Sequence, residues 1–184
     1  MTRRRVVVTG LGIVSPLGLD VASNWSALLA GQSGITRITR FDASGFASQI
    51  AGEVKGFDAT QFIAAKDARR MDVFMHYGIA ASLQAFRDSG LEVTEHNAER
   101  IGCSVGSGIG GLPMIEDTHN SYLQGGPRKI SPFFIPGSII NMISGNVSIL
   151  LGLKGPNYCI VTACTTATHC IGDSARMIEY GDAD

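Results

Sequence analysis

Short apolar runs, glycine-rich turns and long helical stretches follow one another along this chain, and that succession leaves few folds open. Strand-like runs fall at residues 5–9, 100–105 and 158–161. Helical patterns fall at about 22–30, 72–89, 112–123, 136–151 and 165–180. Strands that alternate with helices specify a parallel or mixed sheet with helices on its faces, so the expected class is α/β. Within 72–89, Val73, Phe74, Tyr77, Ala81, Leu83 and Phe86 recur near helical spacing with few charges. That spacing predicts a largely buried helix. Glycine links at 31–34, 106–111 and 125–127 separate the elements, and no repeat, low-complexity tract or interdomain linker interrupts them. One domain over residues 1–184 is expected.

The chain has 184 residues, 45% of them hydrophobic and 17% charged, enough for a proper core. Its net charge of −1 provides no global field for nucleic acid or a membrane surface. The four cysteines, Cys103, Cys159, Cys164 and Cys170, form no C-x-x-C pair. A disulfide framework or a metal site is therefore not expected, and a reducing, cytoplasmic setting fits. Arg3-Arg4-Arg5 before Val6-Val7-Val8 looks like the start of a signal peptide, but the apolar run breaks at Thr9-Gly10. Residues 139–153 are apolar but too short for a membrane span, and Asn141, Ser144, Asn146 and Ser148 interrupt them. Gly181 is placed to cap the last helix. Asp182-Ala183-Asp184 then leads to no strand, although a helix in this architecture should return the chain to the sheet. The sequence reads as stopping short of that strand.

Cys164 concentrates the chemistry. It follows the apolar run at 158–161 and precedes the helical pattern at 165–180, so its thiol stands at a helix N-terminus. The unpaired N–H groups there favour thiolate over thiol. The small neighbours Ala163, Thr165 and Ala167 leave room for a substrate. A buried core cysteine fits the position equally well. His169, five residues on, falls about 140° around a helix from Cys164 and should not face it, so a structural role is expected.

Other patterns carry less. Gly106-Ser107-Gly108-Ile109-Gly110-Gly111 matches a dinucleotide-binding glycine run, but residues 126–131 lack the acidic partner such a site needs. A close-packed turn explains it better. Gly102-Cys103-Ser104-Val105-Gly106 matches a hydrolase nucleophile elbow, yet Ser104 falls inside the expected strand and not on a turn after it. Lys66, Arg69 and Arg70 share a face if their stretch is helical, and Arg128-Lys129 adds a second basic pair. A solvated surface and an anion-binding face both remain open.

Several segments, in order, resemble the condensing enzymes of fatty acid synthesis, of the β-ketoacyl-acyl-carrier-protein synthase II type. They are Arg5-Val6-Val7-Val8-Thr9-Gly10-Leu11-Gly12, Ser15-Pro16-Leu17-Gly18, the glycine run at 106–111 and Ile130-Ser131-Pro132-Phe133-Phe134. Pro136-Gly137-Ser138-Ile139-Ile140-Asn141-Met142, Gly155-Pro156-Asn157 and Thr162-Ala163-Cys164-Thr165 complete the set. The resemblance implies a thiolase-like layered fold, αβαβα in a full enzyme, of which residues 1–184 form most of the N-terminal half. It implies an acyltransferase in which Cys164 takes an acyl chain as a thioester. Malonyl-carrier protein then loses carbon dioxide, and its carbanion attacks that thioester and lengthens the chain by two carbons. It implies that the Cys164 N–H provides half of an oxyanion hole. Ile109, Phe134 and Ala163 would border the acyl pocket, and Lys66, Arg69, Arg70, Arg128 and Lys129 would meet an acidic acyl-carrier protein.

No bound cofactor or metal is implied, since phosphopantetheine arrives on the carrier protein, and a homodimer is. The family's two catalytic histidines, its lysine and its second oxyanion loop belong to a C-terminal half outside these residues. Ala167 stands where related enzymes often have Gly or Ser. The alternative expectation is a non-catalytic half that needs a complementary chain.

Overall fold

The computed structural model describes residues 4–184, so Arg3 of the basic run lies outside the described residues. The chain divides into two compact units. One holds residues up to Val8, Ala59–Ile79 and Leu91–Asp184; the other holds Thr9–Asp58 and Ala80–Gly90.

The smaller unit begins with helix α1, Val21–Leu29. Asp20 caps it: the Ser23 N–H donates to Asp20 Oδ1 at 2.7 Å, and the Ser23 hydroxyl reaches back to the cap. Strands β1, Ile35–Arg37, and β2, Ile50–Gly52, form an antiparallel pair that the sequence pattern did not predict. Glu53 is buried beyond β2, where its carboxylate accepts the backbone N–H groups of Thr39 and Arg40 and the Thr39 hydroxyl. Those donors, Thr39 foremost, hold its pKa below the usual carboxylate value.

In the larger unit, α2 is the single turn Ala65–Ala68. Helix α3, Val73–Ser89, begins here and ends in the smaller unit. Its 17 residues bury Met75, Ile79, Ala80 and Leu83 completely or nearly so; of the residues picked out by spacing only Leu83 is among them, and Val73, Phe74, Tyr77, Ala81 and Phe86 are half-buried. Asp72 starts both α3 and α4, Leu112–Gly125. Its buried carboxylate accepts the Phe74 N–H at 3.3 Å and the Met114 N–H at 2.8 Å, which satisfies orphan donors of two helices with one side chain.

Strand β3, Cys103–Ser104, pairs in parallel with β4, Asn157–Tyr158, and α4, α5 (Phe134–Ser138) and α6 (Met142–Leu151) lie between them in sequence. This is an α/β arrangement with a parallel pair, as expected. Helix α7, Thr166–Tyr180, closes at Gly181, whose φ of 87° only glycine adopts readily. Among the described residues no helix is long and apolar enough to cross a membrane.

Three expectations need correction. Residues 5–9 form no strand, and Val7 and Val8 are 65% and 76% exposed. β-structure needs a neighbour for its N–H and C=O groups, and among the described residues none pairs with this segment. The strands expected at 100–105 and 158–161 shrink to two residues each. At Gly102 a Cβ would lie 2.6 Å from the Pro156 carbonyl, so the two backbones approach closely just before the pair, where the Cys103 N–H donates to the Pro156 carbonyl at 2.8 Å. The helix expected over 136–151 is two helices, because Ile139 is extended (ψ 143°) and breaks the hydrogen-bond ladder. Residues 182–184 form no strand, in line with the sequence reading: Ala183 is buried, the Asp184 N–H donates to the Arg100 carbonyl at 2.9 Å, and its carboxylate pairs with Arg4 and Arg100. The bond from Arg100, then that from Arg4, lowers the Asp184 pKa to about 2.

Candidate active site

Beyond β4 the chain runs to Thr162, makes one 3-10 turn over Ala163–Thr165 and enters α7. Cys164 is the middle residue of that turn, and it is exposed. Of the four cysteines, Cys103 and Cys159 are half-buried and Cys170 is buried. Ala163 has φ 50°, and it alone among the described non-glycine residues has a positive φ. Such strain persists only where surroundings over-determine it, and it recurs where a side chain is presented for chemistry. Here the Thr162 N–H donates to Thr166 Oγ1 at 2.9 Å, the Thr166 hydroxyl donates to the Ala163 carbonyl at 2.8 Å, and the Thr165 N–H donates to the Thr162 carbonyl at 3.0 Å. Thr166 is buried and anchors the set. Among the described residues the Cys164 N–H meets no acceptor, so it remains able to donate to a ligand.

The glycine run 106–111 packs against this turn. A Cβ at Gly106 would sit 2.2 Å from the Ile160 carbonyl and 2.3 Å from Thr166 Cγ2, and one at Gly108 would lie 3.6 Å from Ala163. At the other end Gly111 donates its N–H to the Ser138 carbonyl of α5 at 2.9 Å. Ile109, 74% exposed, therefore stands between the cysteine turn and the helix that begins with half-buried Phe134. Gly106 and Gly111 allow this close backbone approach. Ser104 lies within β3 with its hydroxyl buried, which is not the exposed turn that a hydrolase serine needs.

The basic residues fall at two places. Lys66 and Arg69 are exposed on α2 and at its C-cap. Arg70 lies past the end of that single turn, so the three do not share one helical face. Its guanidinium stacks 4.2 Å from the Phe133 ring centroid and sits 3.9 Å from Asp67. Arg128 and Lys129 are exposed in the 3-10 turn Pro127–Lys129. Arg70 borders a hollow of about 180 Å3 and Lys129 one of about 430 Å3, and Met71 walls both. His169, assigned a structural part from its helical angle, places Nδ1 2.6 Å from Thr162 Oγ1, a link that spacing alone did not reveal. Among the described residues no group of three or more His, Cys, Asp or Glu is arranged to hold a metal.

Residues 3–184 match the family described as beta-ketoacyl synthase, N-terminal domain. The whole chain is 61% identical to the 3-oxoacyl-[acyl-carrier-protein] synthase 2 of Vibrio cholerae, 59% to that of Coxiella burnetii and, over 98% of its length, 46% to that of Staphylococcus aureus. It spans 44% of the length of each of these curated relatives. Among solved structures, the ishigamide ketosynthase/chain length factor superposes with a TM-score of 0.89 at 30% identity, covering all of this chain and 46% of that one. The ketosynthase AntDE, solved in complex with the acyl-carrier protein AntF, superposes at 0.84 with 29% identity, covering all of this chain and 50% of that one.

Proposed function

The chain belongs to the beta-ketoacyl synthase family, as its N-terminal domain, and from that membership we propose that Cys164 accepts an acyl group during fatty acid synthesis. The carrying observation is the exposed Cys164 thiol on a braced, strained turn, where the three other cysteines are wholly or partly enclosed. The thiol attacks the carbonyl of an acyl-carrier thioester. A new sulfur–carbon bond forms at Cys164, the carrier's phosphopantetheine thiol leaves with the proton, and the Cys164 N–H donates to the transient oxyanion. The acyl chain runs past Ala163, Ile109 and Phe134. Malonyl-carrier protein then loses carbon dioxide, its carbanion attacks the Cys164 thioester, and a chain two carbons longer leaves on the carrier. The resemblance puts the groups that drive this second stage in the family's C-terminal half.

The carrier protein docks on Lys66, Arg69, Arg128 and Lys129, which are exposed and basic, with Arg70 stacked behind them. The active enzyme is a cytoplasmic homodimer, a setting in which an exposed thiol stays reduced. Incubation of the intact protein with acyl-carrier protein, followed by mass spectrometry, tests the reading. The acyl mass is expected on Cys164 and absent from Cys164→Ala; acylation elsewhere, or equal acylation of the variant, overturns it.

A second reading, a half that acts only with a complementary chain, has its own support. Val6, Val7 and Val8 with Ile171 and Ile178 of α7 line an open apolar hollow of about 480 Å3. Apolar surface of this kind is costly unless something covers it. Acylation of a purified 1–184 chain by itself argues against this reading, and acylation that requires an added 185-onward chain supports it.

A further inference from the structure

The turn that carries Cys164 is strained, and its restraints differ in reach. Thr162 opens it at φ −139° and ψ 44°, and Ala163 follows at φ 50°. The three bonds made by Thr165 N–H, Thr162 N–H and the Thr166 hydroxyl all close within residues 162–166. Two of them involve Thr166, so they fasten the loop to the first residue of α7. The contact between Thr162 Oγ1 and His169 Nδ1, at 2.6 Å and exposed to solvent, reaches about one turn further along the helix. His169 lies three residues after Thr166, and residues at that spacing share a helical face. Thr166 and Cys170 of this helix are buried, so the backbone that carries His169 is fixed by packing. The contact therefore ties the strained entrance of the turn to the body of α7, and Cys164 is suspended between the two tied points.

We propose that His169 is a positioning residue for Cys164: its contact with Thr162 Oγ1 holds the turn in the geometry that presents the thiol and the Cys164 N–H together. The imidazole touches neither reacting atom. It acts through Thr162, and loss of the contact lets the turn relax away from the Ala163 strain. Attack on a thioester needs sulfur and N–H donor aligned on the same carbonyl, and misplacement by about 1 Å can cost orders of magnitude in rate. The proposal takes its meaning from the acyl-accepting reading of Cys164, but the geometry it describes is measurable without it.

The test uses the intact protein and two readouts. Hydrogen exchange at the peptide carrying Thr162 and Thr166 reports the turn; single-turnover acylation of Cys164 by acyl-carrier protein reports the chemistry. His169→Ala and Thr162→Val are each expected to speed exchange there several-fold and to slow acylation about tenfold, the order of one lost hydrogen bond. The carrier concentration for half-maximal rate is expected not to move. The double variant is expected to be no worse than either single one. Asn places an amide near the Nδ1 position and Gln places one near Nε2, so His169→Asn is expected to restore both readouts and His169→Gln neither. Unchanged exchange in His169→Ala, additive losses in the double variant, or no recovery with His169→Asn overturns the proposal. Failure of the wild-type protein to acylate Cys164 removes the acyl-accepting reading, and the exchange data still decide the strut.

Discussion

The chain has four thiols, three of them within residues 159–170, and their surroundings separate their chemistry. Burial pushes the Cys103 pKa from 9.0 up to about 11, and a hydrogen bond from Ser148 offsets only part of that. Burial raises Cys159 as well. Both remain protonated near neutrality, whereas Cys164 stands open to solvent. Iodoacetamide at pH 7.5 is therefore expected to label native protein at Cys164 well before the other three, a pattern read by peptide mass spectrometry. Equal labelling of Cys103 contradicts it. The same shift has a stability consequence. A thiol whose folded pKa is raised stabilises the fold below its unfolded value and loses that contribution as pH climbs to the folded one. For Cys103 the loss falls between about pH 9 and 11 and amounts to roughly 2–3 kcal/mol. Unfolding midpoints of wild-type protein are expected to drop across that window more steeply than those of Cys103→Ala, and parallel curves exclude the effect.

Among elements, the glycine run after β3 sets how closely two backbones approach at the site. A methyl at Gly106 meets the Ile160 carbonyl at 2.2 Å, and a carbonyl on the strand side cannot swing aside as a flexible side chain can. A methyl at Gly108 meets Ala163 only at ordinary contact distance. Gly106→Ala is expected to cost about 2–4 kcal/mol of stability, within the range for core overpacking and strain. Gly108→Ala is expected to lie within about 0.5 kcal/mol of wild type. Chemical denaturation distinguishes them, and similar midpoints for the two variants sink the assignment.

The glycine run was visible in the sequence as a turn, but which of its glycines is indispensable depends on a neighbour far away in the chain. The same division runs through the fold. Helix α7 and its Gly181 cap were legible because a helix makes its own hydrogen bonds and its stop signal is local. Residues 5–9 look like a strand in composition, yet a strand exists only with a partner, and the sequence does not report one. The break at Ile139 was hidden because small polar residues such as Ser138, Asn141 and Ser144 recur among apolar ones on both sides of it, so hydrophobic periodicity carries no mark where the ladder stops. β1 and β2 were hidden for the opposite reason: their residues are mostly exposed and show no alternation. The position of Cys164 at a strand-to-helix turn was legible. The His169 strut was not, because its partner lies seven residues back across a change from 3-10 turn to α-helix, where ideal helical angles do not apply.

For the molecule as a whole, a net charge of −1 gives no long-range pull on an acidic partner. Any steering must come from local groups acting within about a Debye length, roughly 8 Å at physiological salt. Lys66, Arg69, Arg128 and Lys129 are exposed, so under the proposed docking their loss is expected to change encounter with little effect on folding. Arg70 differs: stacked on Phe133 and beside Asp67, it contributes to packing as well as charge. Charge reversal therefore separates the two kinds of residue. Lys66→Glu with Arg69→Glu is expected to raise the half-saturating concentration of acyl-carrier protein about tenfold in Cys164 acylation. The maximal rate and thermal midpoint are expected to hold. Moderate added salt should impose a similar loss on wild-type protein and a smaller one on the variant. A small acyl-pantetheine thioester lacks the acidic protein surface and should acylate both proteins at the same rate. Arg70→Glu should weaken carrier use and also lower the thermal midpoint. Equal weakening of carrier-borne and small thioesters by the Lys66 and Arg69 reversals would show that these side chains act on the chemistry at Cys164 and not on docking.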